Sequence, residues 1–418
     1  MLRDTNEALE QITIKYLQIG ALQQQQGDYL LSTARNMNTG RFRVRLKIHK
    51  QPVKGRPLCN MRNCTAEHIG IFLHETLQPH INKYRTVLTS TDSLIQQIEG
   101  IRIPEGFFLR TADVCDLFPS INRNEMMPIF DRLFQEMLPD ALARLCLRLT
   151  HLLVSGTVLE HASEHWLADS GLPTGSSASC TLANLLLVDL DRHVQDALQD
   201  QVLMLRRFID DIFVIDSAED ASFSAACNSW MSGIATEPTG NTRHDKEVIF
   251  LDLAISHHAG SIRFRLHENP LAQYLYVPWG SSHSTSIKLG IAIAGLIRIS
   301  RRFSRDTPAS EISDARNRFL ARLRARGFPA SALRVAQARV STRRRQAGKG
   351  VQIRCRISMH KRANSLCAAL RSSTRCQPSR ITPKTLFTAH YKRTWQPEHR
   401  RVGRRDLKFF RDARSSVC

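Results

Sequence analysis

Three carboxylates stand where the chain is otherwise apolar. Asp113 closes the apolar stretch 107–114, and Asp210 and Asp211 interrupt the string RRFIDDIFVID. Adjacent like charges inside apolar strands are costly when nothing compensates them. Between the two positions, Gly171 and Gly175 frame a tight loop, GLPTG, which feeds a long apolar run with Leu182, Leu186, Leu190 and Val194 at helical spacing. A strand aspartate, a Gly-rich loop opening a helix, and then a hairpin tipped with Asp-Asp is an order that suits one chemistry. Carboxylates from two adjacent strands would hold two Mg2+ ions about 4 Å apart, with Mn2+ as a substitute, for in-line phosphoryl transfer. A lone Asp-Asp is also a common tip of a solvated hairpin. The company of Asp113 and the glycine loop weighs toward the metal reading.

The elements that must position these residues follow from periodicity. Residues 202–208 and 212–215 read as two strands joined at Asp210–Asp211, and 107–114 as another. Phe42, Val44, Leu46 and Ile48 alternate with Arg41, Arg43, Arg45 and Lys47. That pattern predicts a half-buried strand with a basic open face, ended by Pro52, Gly55 and Pro57. Helices are predicted over 7–22, 65–78 and 124–137, with a Gln run and a loop from 22 through Gly40. A hairpin is predicted from 248–255 and 261–266. From Ser284 the pattern is helical and Arg-rich, and after Ser341 periodicity is lost.

With 418 residues, of which 42% are apolar, the chain is too long for one compact domain and too apolar for global disorder. The formal charge of +21 is unevenly placed. Residues 341–418 carry 21 basic and 3 acidic side chains, whereas the first 300 residues sum to about −4. Such a tail suits a polyanion, and its arginines alternate with Tyr391, Trp395, Phe409 and Phe410, as phosphate contact plus stacking would require. A plain basic extension doubling as a nuclear localisation signal fits equally well. The ten cysteines include no C-x-x-C pair, and the spacings of Cys355, His360, Cys367, Cys376, His390 and His399 match no common zinc finger. No apolar run reaches the length of a membrane span. A reducing, aqueous compartment is expected, with synthesis in the cytoplasm and function in the nucleus.

On these residues the sequence resembles reverse transcriptases. TADVCDLFPSI is similar to their motif A, GLPTGSSASCTLANLLL to motif B, RFIDDIF to motif C, and VIFLDLAI to the segment leading into the primer grip. LKIHKQPVKGRPLCNMRNCTAEHIGIFLHETLQPHI resembles the fingers of the Penelope-like retroelements, and QYLYVPWGSSHSTSIKLGIAIAGLIRISRRFS their thumb. The resemblance covers about residues 42–335 with all segments in order. Thr174 stands where many reverse transcriptases have Gln, and nothing matches the endonuclease many Penelope-like proteins carry. An endonuclease-lacking or truncated member is expected.

The resemblance implies an α+β right hand: fingers within 1–105, a palm over 106–280 with an antiparallel sheet, a helical thumb over 281–340, and a basic tail over 341–418. It implies Asp113, Asp210 and Asp211 as catalytic metal ligands, and Lys47 and Arg56 as contacts to the incoming triphosphate or template. Gly171, Gly175 and Asn184 would line the nucleotide and template. Phe118, five residues after Asp113, would be the aromatic gate that excludes a 2′-hydroxyl. The implied partners are an RNA template, a DNA primer and dNTPs, and the implied activity is RNA-directed DNA polymerisation. The alternative is a catalytically idle remnant that keeps the fold and binds nucleic acid.

Overall fold

The computed structural model describes residues 2–34, 38–47, 54–347, 356–358 and 379–381. In chain order the elements are α1 (Leu2–Gln18), α2 (Gln24–Ala34), β1 (Gly40–Lys47), β2 (Lys54–Asn60), α3 (Thr65–Ile81), α4 (Thr91–Ile98), β3 (Phe108–Val114), α5 (Leu117–Ser120), α6 (Arg123–Met137) and α7 (Asp140–Ser155). They continue with β4 (Val158–His161), β5 (Glu164–Leu167), α8 (Ser179–Leu198), β6 (Val202–Phe208), β7 (Asp211–Asp216), α9 (Asp220–Asn228) and β8 (Thr236–Asn241). The remainder are β9 (Val248–Phe250), β10 (Leu253–His258), β11 (Ser261–Leu266), α10 (Thr285–Arg301), α11 (Ala309–Ala325), α12 (Ala330–Ala347), β12 (Arg356–Ser358) and β13 (Ser379–Ile381). The chain is a mixed α/β protein. It divides into one unit of residues 1–272 and 301–309, and a second of 273–300 and 310–418.

The central sheet of the first unit is antiparallel throughout, in the order β6-β7-β3-β8. Its two faces follow from strand alternation. Ala112, Val114, Leu205, Ile212 and Val214 join a large core with α3, α6, α7 and α8. Leu109, Met204, Phe213 and Ile215 join a smaller core with α4 and the meander β9–β10–β11. The long apolar helix α8 is buried on most sides, as its run of leucines requires. Residues 301–309 fasten to this unit: Arg302 bonds to Asp92 and to Asp252, the latter at 3.0 Å, and the Ser304 amide donates to the Phe264 carbonyl at 2.9 Å.

In the second unit, α10, α11 and α12 bury Ala292, Leu296, Phe319, Leu320, Leu323, Leu333 and Ala336. A Cβ on Gly295 would run into the Phe319 ring, so that glycine permits the close approach of α10 and α11. Lys288 is buried there, donating to the carbonyls of Trp279 and Ser281.

Several expectations change. The Gln run is not a loop: α2 forms there and buries Leu30 completely. The segment 248–255 is not one strand, because Leu251 takes a left-handed φ of 54° and turns the chain between β9 and β10. The alternating strand β1 forms, pairing with β2 from Arg41↔Asn60 to Lys47↔Lys54. Its apolar face is covered only at Phe42, however, and Val44 and Leu46 are 54% and 63% exposed. The hairpin joins the sheet β2-β1-β4-β5 only at its base, where Gly40 and Arg41 meet Leu159 and Glu160. Almost all of the basic tail, with its aromatic residues and its Cys/His positions, lies outside the described residues. No helix among the described residues is long and apolar enough to cross a membrane.

Candidate active site

The three aspartates come together. Asp113 and Asp211 are direct cross-strand partners on β3 and β7. Asp210 sits in the turn that joins β6 to β7, between Phe208 and Asp211, which are paired. One carboxylate oxygen from each lies within 4.8 Å of the others, and all three residues are half-buried. By alternation, Asp113 and Asp211 share the face of Leu109, Phe213 and Ile215, one end of which the smaller core leaves uncovered. Burial, the Asp210 charge and the Asp113 charge push the Asp211 carboxyl up to about 6. That is the environment of carboxylates that repel each other. A set of hard oxygen donors this close fits Mg2+ or Mn2+ rather than a softer ion.

The turn is held from both sides. Ile209 takes a φ of 57°, which β-branched residues rarely adopt and which costs about 1–3 kcal/mol. On one side the Val114 amide donates to the Asp210 carbonyl at 3.0 Å. On the other, Arg207 donates from Nη1 to the Ile209 carbonyl at 2.9 Å. Arg207 is fully buried on β6, where its guanidinium pairs with Asp191 of α8 through Nε at 3.0 Å and Nη2 at 3.2 Å. It also donates to the Asn184 side-chain oxygen and backbone carbonyl, both at 3.0 Å. One guanidinium thus ties helix α8 to the turn that presents Asp210 and Asp211. Neither Arg207 nor Asp191 was singled out from the sequence. The signal was present, since an arginine within an apolar strand needs a buried partner just as an aspartate does.

The Asn184 side-chain oxygen and carbonyl are thus both engaged by Arg207, within the network that holds the turn. The glycines of the 171–175 loop approach protein backbone. Gly171 has a φ of 64°, and a Cβ there would strike the Phe118 carbonyl oxygen. Gly175 has a φ of 119°, and its Cβ would strike the Cys59 carbonyl oxygen. The loop is tied to both neighbours, Leu172 donating to Phe118 at 2.9 Å and Cys59 to Thr174 at 2.6 Å. These contacts seat the loop between β2 and α5. Phe118 lies in the single turn of α5, half-buried against the large core, just after Asp116 turns the chain with a φ of 42°. Arg56 is exposed on β2 opposite Arg45, and Lys47 ends β1 opposite Lys54.

A further acid borders the cluster. Glu237 on β8 is the direct partner of Asp113 on the strand's other side. The Cys115 thiol is pushed up to about 11 by burial and by its hydrogen bond with Glu237. Partial burial and the Asp210 charge likewise raise the Cys180 thiol, which places the start of α8 beside the turn.

No protein-family model matches the chain, and no curated protein sequence does. Among solved structures it is similar to apo telomerase from Candida tropicalis, at 12% identity over 73% of this chain and 58% of that one, with a TM-score of 0.42. Telomerase from Candida albicans bound to a fragment of telomeric RNA aligns at 12% identity over 63% and 51%, also with a TM-score of 0.42. The Sicinivirus 3Dpol RNA-dependent RNA polymerase aligns at 10% identity over 69% and 64%, with a TM-score of 0.43. The chain spans about half the length of the telomerase structures. Likeness this distant carries no functional argument, and the site must carry its own.

Proposed function

We propose that the chain is an RNA-directed DNA polymerase of a retroelement, extending a DNA primer on an RNA template with dNTPs in the nucleus. The observation that carries this reading is the convergence of Asp113, Asp210 and Asp211, from two adjacent strands and their turn, within 4.8 Å. The order of resemblance along the sequence supports it. In this reading the central sheet is the palm, within 106–280. The preceding 105 residues supply the fingers, 281–340 the thumb, and 341–418 a basic tail that holds nucleic acid. Asp113, Asp210 and Asp211 would hold two Mg2+ ions. When bound, these supply activation of the primer 3′-hydroxyl and neutralisation of the departing pyrophosphate.

The remaining roles fall to the chain's own groups. Arg207 fixes the strained turn, so that two carboxylates keep their places without reorganising. Lys47 and Arg56, on the basic hairpin of β1 and β2, meet the triphosphate or the template phosphates. Phe118 sets its ring against C2′ of the incoming sugar and leaves no room for a 2′-hydroxyl.

Primer extension on poly(rA)/oligo(dT) with Mg2+ or Mn2+ tests the reading; no product with either ion would overturn it. Sugar choice is tested by Phe118→Val. The ratio of kcat/KM for GTP to that for dGTP on one template should rise about 10–100-fold. An unchanged ratio would make Phe118 an ordinary core residue.

A further inference from the structure

At the outer edge of β6, the segment before α4, the helix α8 and the strand itself enclose a cleft of about 550 Å3. None of the three aspartates lines it. Its walls carry the guanidinium groups of Arg85, Arg192 and Arg206, together with Tyr84 and the apolar side chains of Val188 and Leu203. The charge is not balanced from within. Arg192 is satisfied by Glu136, with contacts of 2.8 and 3.2 Å. Asp191, which also reaches the cleft, is occupied by Arg207. Arg206 bonds, among the described residues, to the Gln97 side-chain oxygen and the Leu205 carbonyl, both neutral. Burial and the facing charge of Arg85 hold the Arg206 guanidinium below its usual range, against a smaller pull from Asp191.

Two cations brought together without a counter-ion cost free energy, and an entering anion restores it. Guanidinium groups present forked donors that match phosphate oxygens. Beside them the Tyr84 ring lies under Arg192, whose guanidinium is 5.8 Å from its centroid. With the exposed Leu203 it makes a partly apolar wall against which a nucleobase can rest. We propose that this cleft binds the phosphate of a nucleotide, with the base against Tyr84, at a site separate from the three carboxylates. The nucleotide is either free or one residue of a polynucleotide strand.

The discriminating variant is Arg85→Glu. Arg85 is exposed, so the change leaves the core alone while placing a carboxylate beside Arg206. The full chain, in EDTA, is melted with AMP, with the dinucleotide ApA, and with glutamate as an anion that has no phosphate. At millimolar AMP or ApA the wild type should gain about 2 °C or more in Tm, and Arg85→Glu should gain nothing. Ligand-free Arg85→Glu should melt no lower than wild type, because the repulsion is relieved. Arg85→Ala, which only removes charge, should lose at least half of the ligand-induced gain. A larger gain with AMP assigns a free nucleotide, and a larger gain with ApA assigns a strand. Equal gains in wild type and variants, no gain with either nucleotide, or an equal gain with glutamate would each overturn the site. The basic tail is present in every protein compared, so its contribution cancels. No polymerase activity is read, so this result stands or falls apart from the polymerase reading.

Discussion

Strand β7 begins and ends on an aspartate, and its two ends treat them oppositely. At one end Asp216 is fully buried, and Arg110 meets it with Nε at 2.9 Å and Nη2 at 3.0 Å. The same guanidinium reaches Asp220 and the Ala218 carbonyl and lies 4.8 Å over the Phe223 ring. At the other end Asp211 is half-buried beside Asp113 and Asp210, and no cationic side chain among the described residues pairs with Asp210 or Asp211. The ends differ in burial, but burial does not set their roles. The counter-charge does. An aspartate with an internal guanidinium is spent on holding the fold, whereas Asp211, raised by burial and by its acidic neighbours, lacks such a partner among the described residues.

Substitution at each end should break different things. Asp210→Asn should lower primer extension about 1,000-fold or more, on the order of 4 kcal/mol of transition-state stabilisation. Its primer–template affinity should match wild type, and its urea midpoint should be no lower, since one of the charges that repel Asp211 is gone. Asp216→Asn should do the reverse. It leaves the buried Arg110 with only the half-exposed Asp220 as counter-charge and should cost about 3 kcal/mol in urea unfolding, while the folded fraction still extends primers. If Asp210→Asn unfolds the protein, or Asp216→Asn melts like wild type, the contrast between the ends is wrong.

The Arg207 network lies between these extremes, being a buried ion pair in the service of the open end. Asn184→Ala removes one of its acceptors and should cost about 1–2 kcal/mol of stability. Because the Ile209 turn then loses a constraint, the Mg2+ concentration for half-maximal extension should also rise, by about 3-fold or more. A stability loss with an unchanged metal requirement would confine Arg207 to structure.

The smallest effect concerns pH. The Asp211 carboxyl is raised to about 6 in the fold, above the ordinary carboxylate range. The folded state therefore holds that proton more tightly than the unfolded chain. Stability contributed by this group is present at low pH and is lost as pH rises from about 4 to about 6. For a side chain this accessible the loss is about 1–2 kcal/mol after solvent screening. Metal-free Asp211→Asn should thus be more stable than wild type above pH 6 and equal to it near pH 4, by thermal unfolding. At the closed end the sign is opposite. Burial raises the Asp220 carboxyl, but hydrogen bonds from Arg110, His244 and Asn241 and the Arg110 charge bring it below the usual range. Its contribution is present at neutral pH and lost on acidification. A wild-type stability that is flat between pH 4 and 6 would remove the repulsion argument for the open end.

Local pattern determined much of this protein without help from tertiary structure. The strands β3, β6 and β7, the helices α3, α6 and α8, and the placing of Asp113, Asp210 and Asp211 at strand ends all follow from alternation, helical spacing and the cost of charge among apolar neighbours. What local pattern could not decide is which groups meet. Asp216 and Asp211 are the same residue type on the same strand, and only the approach of Arg110 from β3 makes one a structural ion. Arg206 and Arg207 are adjacent and alike in sequence. The pleat sends them to opposite sides, one into a buried pair with Asp191 and one into an unbalanced cleft with Arg85. The alternation of β1 was legible, yet beyond Phe42 its apolar face stays bare, because burial needs a second layer and the hairpin joins its sheet only at the base. Spacing along the chain sets which way a side chain points; only the packed fold sets what it finds there.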